Sequence, residues 1–220
     1  MLRCAKVLSF LVILLFGAGS FAYAKKADFQ YWSSESIGWN ISKKWKLSLS
    51  EEHYFRNDAE DFYYQHTEIG ATYSGLVKWM DVGLNFRHVR SKGNSGWKRE
   101  EQPSFNAYLK FKLKDYSISD RNRFEYRFKQ DAQDYWRYRN LLTIKLPLKW
   151  TRYEIQPMLS DEIFVDLDQK EFNENRLMPG FSFKINKNLN AEIVYMWRRV
   201  KSSDTWSANH AVWTRLKLEF

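Results

Sequence analysis

The feature that most limits what this chain can fold into is a two-residue period. In Arg121-Asn122-Arg123-Phe124-Glu125-Tyr126-Arg127-Phe128, charged side chains alternate with aromatic rings. Such alternation makes a β-strand with two unlike faces. The last run repeats it. Val212, Thr214, Leu216, Leu218 and Phe220 share one face, and Trp213, Arg215, Lys217 and Glu219 share the other. Other runs follow the same rule: Trp45, Leu47 and Leu49 against Lys46, Ser48, Ser50 and Glu52; Ile69, Ala71 and Tyr73 against Glu68, Gly70 and Thr72; Met80, Val82, Leu84 and Phe86 against Asp81, Gly83, Asn85 and Arg87. Phe105 to Phe111, Phe181 to Ile185 and Ala191 to Trp197 continue the scheme.

Between these runs the connections are expected to alternate in length. Tight turns are read near Ser42-Lys43-Lys44, Gly75-Leu76-Val77, Lys114-Asp115, Leu148-Lys149 and Asn186-Lys187-Asn188. Longer polar loops are read near 57–61, 91–97, 129–133, 166–171 and 202–205. Short turns on one rim and longer loops on the other are what a membrane barrel presents. The chain therefore reads as all-β: an antiparallel transmembrane β-barrel of about 10–12 strands with short periplasmic turns.

At the amino end, Arg3 and Lys6 precede an apolar run from Val7 to Gly19, and Ala22-Tyr23-Ala24 supplies a small-x-small cleavage pattern. Residues 1–24 are expected to be a secretory signal peptide, leaving 25–220 as one barrel domain. The single cysteine, Cys4, leaves with the peptide, so no disulfide is available to the mature chain. The chain carries 35 Lys and Arg against 26 Asp and Glu, and 18% of it is aromatic. That basic excess suits a neighbour of anionic lipopolysaccharide better than a nucleic-acid binder, since an exported chain seldom meets nucleic acid.

Periodicity does not say which face looks inward. A lipocalin-like carrier would turn its apolar face in, and a membrane barrel would turn it out. Arg87, Arg121, Arg123, Arg127, Arg137, Arg139, Arg176, Arg198 and Arg215 share the polar face. An arginine toward lipid costs about 2–4 kcal/mol at the midplane, so inverting the whole set in a membrane would cost roughly 20–35 kcal/mol. A soluble barrel would have to stack Trp, Tyr and Phe from every strand in a narrow lumen. Trp45, Tyr73, Trp197 and Phe220, near strand ends on the apolar face, suit an aromatic girdle. The apolar face is therefore expected outside, and the location expected is the outer membrane of a Gram-negative bacterium. Leu216, Leu218 and Phe220 are expected to signal to the outer-membrane insertion machinery.

By the same parity Glu51, Asp120 and Asp161 fall on the apolar face, which calls for a β-bulge or a place near a rim. The runs number about eleven, whereas bacterial barrels usually have an even count. The stretch 28–42 is accordingly read as split, as lying in the lumen, or as hiding another strand.

Ser160-Asp161-Glu162-Ile163-Phe164, Phe172-Asn173-Glu174-Asn175-Arg176-Leu177, Gly180, and Asn188-Leu189 up to Tyr195 form one set of segments, and Lys43 to Glu52 and Arg121 to Arg127 agree with it. Together they resemble the bacterial outer-membrane β-barrel family catalogued as domain of unknown function twenty-four-ninety. The resemblance implies a small outer-membrane barrel and supplies no catalytic residue.

The most distinctive constellation is a lumen charge network. Glu52, Glu68, Glu125, Glu162 and Glu192 are expected to interleave with the nine arginines, because carboxylate and guanidinium pair bidentately across neighbouring strands. Such a network either fills and stiffens a small barrel or lines a narrow path for anionic solutes. The role expected is a structural or narrow-pore envelope protein, with outer-membrane lipids and lipopolysaccharide as neighbours. No cofactor, metal or nucleic acid is expected, and the oligomeric state is left open. Two alternatives stand beside it: an outer-leaflet lipid-modifying enzyme and a soluble lipocalin-like carrier. For the enzyme, His53, His88 and His210 fall on the apolar face without a serine two positions away, and Ser104 is a candidate partner from a neighbouring strand. His66 and Glu68 share the inner face.

Overall fold

The computed structural model describes residues 28–93 and 95–220; the signal-peptide expectation for 1–24 lies outside the described residues. Eleven strands follow one another: β1 (Phe29–Asn40), β2 (Trp45–Arg56), β3 (Asp61–Val77), β4 (Met80–Gly93), β5 (Gly96–Leu113), β6 (Tyr116–Lys129), β7 (Tyr135–Lys145), β8 (Gln156–Asp166), β9 (Glu171–Lys184), β10 (Leu189–Ser202) and β11 (Thr205–Glu219). Each pairs antiparallel with its chain neighbour, and β1 closes the barrel against β11 in parallel, with Phe29 opposite His210 and Gly38 opposite Glu219. With an odd number of up-and-down strands the first and last run the same way, so only a parallel seam can close the wall. The stretch 28–42 thus holds one wall strand, neither split nor inserted in the lumen. Asp28 and Phe220 lie at opposite rims.

The expected contrast between rims is not there. Connections on the Asp28 rim are 57–60, 94–95, 130–134, 167–170 and 203–204; those on the Phe220 rim are 41–44, 78–79, 114–115, 146–155 and 185–188. The longest lies where a tight turn at Leu148-Lys149 was expected. Pro147 cannot donate to the ladder. Beyond it Trp150 and Ile155 exchange backbone hydrogen bonds of 3.0 and 2.8 Å, making a small hairpin of their own. The turn expected at 75–77 comes later because β3 runs on to Val77 through a register irregularity after Tyr73. The 57–60 turn is held from outside itself: the Asp28 carboxylate accepts the backbone N–H of Asn57 at 2.7 Å, and Asn57 and Asp58 sit at φ 54° and 58°, a region Asn and Asp tolerate.

The two faces separate as their composition dictates. Leu47, Leu49, Ile69, Leu84, Phe86, Phe105, Phe124, Ile193, Leu216 and Phe220 point outward and are exposed. Arg87, Arg123, Glu125, Arg139, Glu162 and Arg176 point inward and are buried. The interior is not uniformly polar, however. Trp32, Tyr54, Met158, Met178, Val194, Met196, Ala211 and Trp213 form an apolar lobe on the β8–β11, β1 and β2 side. Its aromatic part is a stack: Trp32 on Tyr54 at 3.8 Å between centroids, and Tyr54 on Tyr64 at 4.4 Å.

Glu51, Asp120 and Asp161 do face outward, and no bulge rescues them; the register shifts lie at Tyr54/Phe55, Tyr73/Val77 and Phe164/Val165. Neighbouring outward polar groups take them up instead. The Thr67 hydroxyl donates to Glu51, Asn122 donates to Asp120 at 3.2 Å, and Asn175 donates to Asp161 at 2.8 Å.

Candidate functional site

The lumen lattice is assembled by register. Antiparallel pairing sets Glu68 opposite Arg87, Glu125 opposite Arg137, Glu162 opposite Arg176, and Glu192 opposite Arg215. Opposite charges at directly facing positions attract at Cβ separations of about 4.5–5.5 Å. Longer arginines then reach a second acid. Arg123 places both terminal nitrogens on the Glu68 carboxylate at 2.9 and 3.0 Å, and Arg87 Nε reaches the same group at 2.8 Å. Arg123 Nε donates to Asn106 at 2.7 Å, Asn106 to Asn85 at 2.8 Å, and Asn85 back to Glu68 at 2.9 Å, closing a ring of polar contacts.

A second group runs as a chain across the barrel. Arg137 pairs with Glu125, and Arg139 bridges Glu125 at 3.5 Å and Glu162 at 2.8 Å. Glu162 also accepts Arg121 at 2.6 Å and faces Arg176 at 3.6 Å; Arg176 continues to Glu174 at 2.6 Å, which takes Arg198 at 2.8 Å. Arg127 pairs with Glu100, and Glu192 gathers Arg215, Lys217 and Lys145 at 2.9, 3.0 and 3.4 Å. Glu52 is the exception. It accepts Ser34 and the Tyr54 hydroxyl and lies 3.9 Å from His66, with no arginine on it.

Lattice and apolar lobe meet on two rings. Phe164 is flanked by the guanidiniums of Arg176, Arg139 and Arg137 at 4.4, 4.6 and 5.4 Å, and Arg176 also lies 5.0 Å from the Trp32 ring. A guanidinium over an aromatic face is attracted by the ring quadrupole, more so where water is absent. This level is closed off from the surface: Glu125, Val194 and Met196 are 0% exposed, and Arg123, Phe164 and Trp32 are 1% exposed. The two crevices of note open at the rims. One of about 550 Å³ is lined by Trp97, Arg99, Phe128 and Lys129 together with the acids Glu100, Glu101 and Asp134, and one of about 210 Å³ by Lys43, Lys44, Lys46 and Lys110 together with Asp81.

Sequence parity placed all fourteen network residues inside, but it missed Glu100 and Glu174, which anchor three arginines. Glu174 shares parity with Arg176 two positions on, and that signal was available. Glu100 escaped because β5 starts at Gly96, well before the apolar alternation becomes clear at Phe105.

The enzyme-like features do not assemble. His88 Nδ1 and Glu101 lie 2.6 Å apart on the outer wall, His210 meets the Tyr195 hydroxyl, and His53 lies 3.9 Å from Glu35. Ser104 points inward and is buried, away from all three. Among the described residues no serine or threonine hydroxyl hydrogen-bonds a histidine, and no group of His, Cys, Asp and Glu is arranged to hold a metal. His66 is buried edge-on to Tyr54 and Tyr64, and neither ring nitrogen has a hydrogen-bond partner.

Fold and interior define a closed β-barrel whose lumen is occupied by its own side chains. Within that class, the family model described as "Protein of unknown function (DUF2490)" matches residues 29–209, and the chain belongs to this family. No curated protein and no solved structure matches the chain.

Proposed function

We propose that this chain is an outer-membrane β-barrel of a Gram-negative bacterium that acts as a closed structural element of the envelope and does not conduct solutes through its lumen. The observation that carries the reading is the division of side chains between the two faces. Aliphatic and aromatic residues project outward around the wall, while the lumen is packed with guanidinium–carboxylate pairs and stacked rings. Apolar patches on soluble monomers seldom exceed about 300–600 Å²; a belt drawn from the strands of a whole barrel encircles the molecule. Hydrocarbon is the solvent that suits such a belt. A soluble carrier would need the reverse arrangement.

Closure favours the structural role over the narrow pore. Barrels of about eight strands are filled by their own side chains, whereas those of 16–18 leave an aqueous channel. Eleven strands lie between, and here Trp, Tyr and Arg supply the bulk needed to fill the space. Detergent extraction, heat-modifiable gel mobility and planar-bilayer recording test the proposal together. The barrel should fractionate with outer membranes and give no unitary current. A Trp32→Ala/Tyr54→Ala variant, with the stack removed, should leak. Steady anion-selective steps from the unaltered protein would reinstate the pore, and a chain soluble without detergent would refute the membrane reading altogether.

A further inference from the structure

On the outer wall near the Asp28 rim, Arg90 of β4 and Arg99 of β5 stand directly opposite each other. Like charges at facing positions repel, and among the described residues neither guanidinium has a carboxylate within ion-pair distance. Acids are close by but engaged elsewhere: Glu101 with His88 at 2.6 Å, and Glu100 with Arg127 at 2.7 Å. Arg90 is instead laid against the Trp97 ring, 5.5 Å from its centroid, which orients it without neutralising it. Arg99 of this pair borders the 550 Å³ crevice, which has Trp97 and Phe128 as aromatic walls and also holds Glu100, Glu101 and Asp134; the Lys129 ammonium turns to the lumen side, 5.2 Å from the Tyr135 ring, so the outward positive charge is that of the two arginines. Further down the same wall Phe86 and Phe105 are exposed.

From this juxtaposition we infer that the facing Arg90/Arg99 pair binds the phosphate of an anionic lipid headgroup; the inference rests on the membrane reading above. Two planar forks on facing strands suit a phosphate group, since guanidinium takes phosphate bidentately. The aromatic residues give the site a direction. Trp97 is the second residue of β5, at the rim, where a membrane barrel would carry its amphipathic rings, and Phe128, Phe105 and Phe86 would provide apolar wall for acyl chains. A free phosphate ion would use the cations and ignore the rings. A phosphorylated lipid would use both.

Native mass spectrometry of the full-length mature barrel in detergent micelles tests this with two probes, a bis-phosphorylated lipid A and inorganic phosphate. A dephosphorylated lipid A serves as the chain-only control. The phosphorylated lipid should remain bound, and Arg90→Gln/Arg99→Gln should weaken it at least tenfold. Arg152→Gln, at the opposite rim, should leave it unchanged. Arg90→Lys/Arg99→Lys keeps the charge and should retain intermediate binding, and gel mobility confirms that each variant is folded. Undiminished binding in the Gln variant, or equal binding of the dephosphorylated lipid, would overturn the inference. Inorganic phosphate binding as tightly as the lipid would overturn the lipid assignment. Failure of the membrane reading shows separately, as barrel in the detergent-free soluble fraction.

Discussion

Replacing Glu162 by Gln keeps the shape of the side chain and removes one buried charge from the middle of the lattice. Glu162 is 1% exposed and faces three guanidiniums: Arg121 at 2.6 Å, Arg139 at 2.8 Å and Arg176 at 3.6 Å. Arg139 keeps Glu125 and Arg176 keeps Glu174, but Arg121 loses the carboxylate it pairs with. Breaking a buried pair from one side typically costs about 3–5 kcal/mol, because a charge is left uncompensated away from water. Two of the three cations retain a partner, which places the expected loss near the lower end, about 3 kcal/mol. Glu219→Gln is the matched control. Its partner Lys46 lies at 2.6 Å, but both side chains are substantially exposed, so the loss should stay below about 1 kcal/mol. Urea unfolding of the barrel in lipid vesicles, followed by tryptophan emission, measures both. Adding Arg121→Met to Glu162→Gln should recover part of the loss, since the orphaned charge goes with it. Equal, small losses for Glu162→Gln and Glu219→Gln would refute the idea that the lattice is held by buried charge.

Three further outcomes follow from particular contacts. A Cβ on Gly180 would lie 2.5 Å from the backbone oxygen of Ile193 and from Val194 Cγ1, so Gly180→Ala should destabilise the β9–β10 pairing by about 1–3 kcal/mol in the same unfolding assay; a neutral result would mean that the two strands can separate locally without cost. On the rim, hydrogen bonds from Lys149 and Lys184 hold the Glu154 carboxyl below its usual range. A depressed carboxylate pKa stabilises above the unfolded value and loses that contribution as pH falls through the folded one. Amide exchange across 146–155, corrected for intrinsic rate, should therefore accelerate on acidification and lose that dependence in Glu154→Gln; a flat profile in the unaltered chain would contradict it. Finally, Ser203 and Lys187 lie in turns at opposite rims. Cysteines placed there should react oppositely with a bulky impermeant maleimide on intact cells, and labelling of both would exclude a spanning barrel.

Much of this architecture was legible because the period-two signal is local. Arg123, Phe124, Glu125 and Tyr126 announce a strand and its two faces without reference to any partner. Strand number was legible for the same reason. The parallel seam was not, because a count of about 10–12 leaves odd and even open, and the pairing of Phe29 with His210 leaves no mark in either run. Loop lengths differ from expectation where strand and loop share polar residues, as at Ser91 to Trp97, most of which is strand, and where Pro147 opens a longer excursion. The apolar lobe stayed hidden for another reason. Trp32, Met158, Met178 and Met196 sit at inward positions by parity, but composition led one to expect polar groups there. Filling a narrow closed barrel requires volume as well as charge. The outward Arg90/Arg99 pair was visible as two arginines but not as a pair, since register decides which residues face each other.

The orientation of the wall can be measured residue by residue along β4. Single cysteines at Val82, Gly83, Leu84, Asn85, Phe86 and Arg87, each carrying a small fluorophore in the reconstituted barrel, would be quenched by spin-labelled lipid acyl chains. The account predicts a two-residue alternation, with strong quenching at 82, 84 and 86 and little at 83, 85 and 87. Uniformly weak quenching, or the opposite phase, would contradict it.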